Sequence, residues 1–154
     1  MVLSALDIIG AIVAVFAFAI ALVIAVLLFD AFIAAGVFTG DSLTFFQQAK
    51  AATLGLDTLS VVLVVGVCLS SLILAFLVKS HPAFFLVSFM ITLLAIPLGA
   101  QVANIYYEFV HSDPDVTAAA NQLPYTYFVF EYLPKITAVF SALIAVVMYS
   151  KGGP

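Results

Sequence analysis

The chain is predicted to be an all-α, polytopic transmembrane helical bundle of four spans, the first two forming a long hairpin, and three observations predict it. Of its 154 residues 66% are hydrophobic and 8% charged, against roughly a quarter charged in a water-soluble domain. The apolar residues fall in runs close to the 20 or so that cross a hydrocarbon core of about 30 Å. Polar turns separate these runs and leave no room for a second, soluble unit. Residues 1–154 are therefore read as a single integral membrane domain, with spans at about 4–38, 58–78, 83–110 and 133–150.

The first span rests on Ile8 to Phe29, where every residue is apolar or small. At 1.5 Å per residue that run covers about 33 Å. It is too long for a signal-peptide core and has no Lys or Arg ahead of it, so it is expected to be retained. No lipidation signal is read at either end. Apolar residues continue past Asp30 to Phe38, and Gly40 is the expected stop. Ser42 to Asp57 is mixed, and reads either as an interfacial helix or as the first turns of the second span.

The second span runs from Thr58 to Val78 and ends in the turn Lys79-Ser80-His81-Pro82. The third starts near Ala83, carries Pro97, and turns polar from Gln101 onward. Ser112 to Thr126 reads as an extended loop. The last span begins either after Pro124, with a kink at Pro134, or at Leu133 with Pro134 in the first helical position; the later start sets the boundary given above.

If the first hairpin extends past the membrane and turns at Gly40-Asp41, residues whose numbers sum to about 80 come opposite each other. Asp30 then meets Lys50 as a candidate ion pair, Ala14 meets Gly66, and Gly10 meets Ser70. The small residues Gly10, Ala14, Ala17 and Ala21 on the first span, with Gly66 and Ser70 on the second, are candidate helix-packing positions, because small faces let helices approach closely in lipid.

Even spans place both termini on one side. Orientation follows Lys and Arg, and Lys79, Lys151 and His81 tilt a balance of two Lys against two towards termini on the cytoplasmic side. Five of the six tyrosines then gather at the outer interface. There the run from Tyr125 to Tyr132 is too aromatic for water, and Tyr125, Tyr127 and Phe130 are a candidate partner surface. Glu131 and Lys135, four residues apart, are expected to pair if that segment is helical.

Chemistry-bearing residues are sparse. Four Lys, no Arg and a net charge of −4 exclude the basic surface that nucleic-acid binding needs. Cys68 is the single cysteine, which excludes an intramolecular disulfide or a multi-cysteine metal site. His81 and His111 are roughly 40 Å apart along a helix and cannot share a ligand. No nucleophile has a base beside it, so no catalytic residue, cofactor or metal is expected.

The most site-like group is Gln101, Asn104 and Glu108. With Pro97 they follow i, i+4, i+7 and i+11 spacing, a candidate polar patch on one helix face. No span carries a charge at its centre, as a pump or voltage sensor would require. The expectation is a non-enzymatic structural or assembly subunit of a membrane complex, or a membrane protein of a lipid-containing virion. Its partners would be membrane lipids and other membrane or capsid-type subunits, further copies of itself included. The alternative is a holin-like oligomeric pore.

Overall fold

The computed structural model describes residues 3–77 and 82–151; the turn expected at Lys79-Ser80-His81 and the end Gly152-Gly153-Pro154 lie outside the described residues. The described residues form six helices and no strand: α1 (Leu3–Ala34), α2 (Asp41–Gly55), α3 (Asp57–Leu77), α4 (Pro82–Val110), α5 (Pro114–Ala120) and α6 (Pro124–Lys151). Four stretches, Ile9–Ala34, Asp41–Leu77, Leu93–Val110 and Pro124–Ser150, are long and apolar enough to cross a membrane. The chain is an all-α helical bundle with the character of a membrane protein.

α1 ends earlier than Gly40. Gly36 takes φ +63°, the left-handed geometry that closes a helix at little cost only for glycine. The Gly36 N–H donates to the Ile33 carbonyl at 3.3 Å, tightening the last turn. Gly40, also at positive φ, instead precedes the first residue of α2. Two glycines thus bracket the hairpin turn where one was expected. α2 and α3 are separated only by Leu56, whose N–H still reaches back to Ala52 and Thr53 at 3.2 and 3.0 Å. The mixed segment is therefore the outer part of one nearly continuous arm, and α1 runs beside both of its parts.

The region expected to be an extended loop contains α5. Asp113 caps it, accepting the Asp115 N–H at 2.8 Å, and Pro114 takes the first turn, where its missing N–H is no loss. The last helix starts at Pro124, ahead of the expected 133, and Pro134 lies inside it. α4 and α6 run antiparallel. Tyr106 stacks on Phe130 with ring centroids 4.2 Å apart, and Gly99, further along α4, faces Thr137.

Bulky aliphatics fill the interior. Ile12, Val15, Ala19, Leu22, Val23 and Val26 form the buried stripe of α1, meeting Val102, Tyr106 and Val110 of α4, Leu123 just ahead of α6, and Val129 and Phe130 of α6. The small residues lie elsewhere: Gly10, Ala14, Ala17, Ala21, Gly66 and Ser70 are all exposed. A Cβ added at Gly10 or Gly66 would meet nothing within 4 Å. Close approach falls on Gly99, where an added Cβ would sit 3.0 Å from Thr137 Oγ1. Towards the chain termini the packing opens into a cavity of about 60 Å³ among α1, α3 and α6, lined in part by Ile12, Cys68 and Ile144.

Candidate functional site

At the end of the bundle formed by α2, α5 and the start of α6, two carboxylates tie the helices together. Asp57, the first residue of α3, is 2% exposed. Its Oδ2 accepts the Tyr125 N–H at 2.9 Å. Its Oδ1 accepts the Thr126 N–H at 2.7 Å and the Thr126 hydroxyl at 2.6 Å. Because that hydroxyl spends its proton on Asp57, Ser60 Oγ, 2.7 Å away, donates to Thr126 in turn. The residue before Pro124 is Leu123, which has no oxygen to cap a helix, and Asp57 supplies the missing cap from another helix. The N-terminus of α6 faces this carboxylate, and its dipole favours a negative charge there.

The second tie joins α1, α2 and the turn between α5 and α6. Lys50 Nζ donates to Asp30 Oδ1, and Gln122 Nε2 donates to Oδ2 of the same carboxylate at 2.8 Å. The hairpin register thus brings Asp30 and Lys50 together, and the turn after α5 adds a third member, Gln122, that no local spacing announces. Both side chains are partly solvated, at 21% and 37%, so the pair itself contributes little. Replacing Asp30 by Ala removes both contacts and is expected to cost about 1 kcal/mol, read as faster amide exchange confined to α2 and α5. Uniform exchange across all helices would contradict that local role.

Phe130 is not part of a surface. It is 2% exposed, lying flat on Tyr106 and edge-on to Phe16 at 6.2 Å. Tyr127 is half-buried, and Tyr125 is exposed. The outward rings at this end include Phe45 of α2 and, around α5 and the start of α6, Tyr107, Tyr125 and Phe128, each at least half exposed. Lys135 Nζ lies 4.7 Å over the Tyr132 ring and does not pair with Glu131. The one ion pair among the described residues is Asp30 with Lys50.

Gln101, Asn104 and Glu108 share a face as their spacing requires, and all three are exposed. Among the described residues no side-chain hydrogen bond joins them to another helix. His111 stacks on Tyr107 at 4.0 Å between centroids, and among the described residues no three His, Cys, Asp or Glu side chains converge as a metal site would need. The Tyr106 hydroxyl is buried without a hydrogen-bond partner among them. Asp57, with three donors already on its two oxygens, is arranged for holding helices in place. No family model, curated protein or solved structure matches the chain.

Proposed function

We propose that this protein is a non-enzymatic structural subunit of a larger membrane-associated assembly, either a cellular membrane complex or a lipid-containing virion, with both termini on the inner side. The observation that carries the reading is the rim of exposed rings, Tyr107, Tyr125 and Phe128, on the end of the bundle where Asp57 and Asp30 lock the helices. Tyr and Phe offer large contact area with few rotatable bonds, and aromatic residues are enriched in protein contact surfaces. A rigid mount lowers the ordering cost of using them.

The helices are long enough for that end to stand clear of the hydrocarbon. α1 has 32 residues and α4 has 29, or about 48 and 43 Å against a core of about 30 Å. A slab of that thickness counted from Pro82 reaches Gln101, and one counted from Leu77 reaches Asp57. The outer turns of α1, all of α2 and α5, and the start of α6 lie beyond it.

Serine at Tyr107, Tyr125 and Phe128 together is expected to leave the protein inserted and to reduce co-purified partner protein by about tenfold, the size of a lost hot-spot residue. Undiminished recovery of the same partners with that variant would overturn the rim as the contact surface.

One observation favours the pore reading. The outward face of α4 carries Gln101, Asn104 and Glu108, and several copies turning it to a common axis would line a path for water. Dye release from vesicles holding the purified protein alone would select the pore over the structural role.

A further inference from the structure

We infer that the cavity among α1, α3 and α6, together with a groove beside it, is a binding site for one acyl chain of a membrane lipid. The cavity, of about 60 Å³, is walled by Ile12, Val15, Val64, Cys68, Phe140 and Ile144 among others. The groove runs on the surface between α1 and α3, past Leu63, Gly66, Ser70 and Leu74. Ala11, Val67 and Ser71 line both, so cavity and groove adjoin at those three residues.

Both lie at the depth of lipid tails. Val64 and Ser71 stand about 10 and 21 Å along α3 from Asp57, inside a hydrocarbon core of about 30 Å. The cavity lining is apolar apart from the Cys68 thiol and the hydroxyls of Ser71, Thr137 and Ser141. The Thr137 hydroxyl is already spent on the Leu133 carbonyl at 2.7 Å, and a helical serine can satisfy its own on a carbonyl one turn back. An apolar space of this kind does not hold water. Left empty, it forfeits dispersion contacts for every side chain around it. The filler at hand at that depth is hydrocarbon.

Shape selects a single chain over a helix. From Val62 to Leu74 the groove follows about 18 Å of α3, against about 15 Å for one leaflet. Leu74 lies within one turn of the end of α3 at Leu77, so a chain from the leaflet on the side of the termini can lie along the groove and turn its end inward past Ala11 and Val67. A helix, about 10 Å across, could cover the groove but not follow it inward. Gly66 and Ser70 are exposed, and a Cβ added at Gly66 would meet nothing within 4 Å. Their small size keeps the groove open. The site needs only that α3 cross the hydrocarbon, and it stands whether or not the protein joins a larger assembly.

Full-length protein released from phosphatidylcholine nanodiscs into native mass spectrometry is expected to carry one lipid on each 16.3 kDa chain. When the protein is taken from its own membrane, the added mass tells a whole phospholipid from a free fatty acid, either of which supplies the chain. A phosphatidylcholine with a diazirine at the end of one acyl chain should, on irradiation, label Val64 and Ile144, each less than a tenth exposed. Gly66→Leu, which the open space at that position accommodates, should lose most of the retained lipid and of that labelling while keeping the circular dichroism of wild type. Cys68→Leu, which fills the cavity, should do the same. Val139→Leu, on the outward face of α6, should change neither.

Wild-type chains that arrive without lipid, labels confined to outward positions such as Val139 and Val146, or retention unaltered in both Gly66→Leu and Cys68→Leu would each overturn the site. Cross-links between the α3 helices of two copies that Gly66→Leu abolishes would put a second copy in the groove and overturn it as well.

Discussion

Asp57→Ala is expected to be among the most destabilising single substitutions at a polar position, lowering unfolding free energy by about 3 kcal/mol. Three donors lose their acceptor together: the N–H groups of Tyr125 and Thr126 and the Thr126 hydroxyl. The hydroxyl can turn to a backbone carbonyl, but the two N–H groups at the start of α6 have no helical partner of their own. Asp57→Asn should fall between, at about 1 kcal/mol, since its carboxamide keeps one acceptor oxygen and sets an NH₂ against the donors on the other side. Asp115→Ala, at an exposed carboxylate in α5, should shift stability by less than about 0.5 kcal/mol. Circular dichroism during denaturation in mild detergent ranks the three. Equal stability of Asp57→Ala and wild type would remove the capping role.

Phe130→Ala should cost about 3 kcal/mol, while Phe128→Ala two residues away should cost less than about 0.5. The first value is taken at the low end for Phe→Ala substitutions in water, because between helices in lipid the transfer part of that cost is absent and the loss is one of packing contacts. Phe130 fits against Tyr106 and Phe16, and its removal leaves a void that three helices would have to close. Phe128 touches Tyr132, with ring centroids 4.7 Å apart, and is half exposed. Similar losses at both positions would mean that α6 is rotated about its axis from the arrangement described.

How far each feature was legible in the sequence depends on whether its signal was local. The four long apolar stretches were, because membrane spans declare themselves by run length. The facing of Asp30 and Lys50 was also legible, since a hairpin of two straight arms fixes opposite positions by counting. α5 had a readable start in Asp113-Pro114, a cap followed by a proline, though the carboxylates and amides around it suggested a loop. The start of α6 at Pro124 was half legible: Leu123 cannot cap a helix, and such a start needs an oxygen from elsewhere. Which oxygen could not be read, because Asp57 is far away in the chain.

Facing within α1 and α6 was not legible, for a different reason. A helix apolar all round gives no periodicity to say which side is inside. On α1 either the small residues or the valines could have faced the core. In the run from Tyr125 to Tyr132 aromatic rings cover both faces, so only packing against Tyr106 distinguishes buried Phe130 from exposed Phe128. The polar positions of α4 were grouped on one face by their spacing, but whether that face meets a neighbour depends on where the other helices stand.

The carboxylate of Asp57 also bears on how the chain is put together during synthesis. Its acceptor atoms are made 68 residues before the first N–H group they hold, and Asp30 precedes Gln122 by 92. On the membrane placement proposed above, Asp57 would lack its α6 donors until the last helix inserts, and α3 could not sink past the level of that residue without stranding it in hydrocarbon. The charge thus acts as a float that sets the depth of a half-made chain, and the arrival of α6 turns the float into a latch.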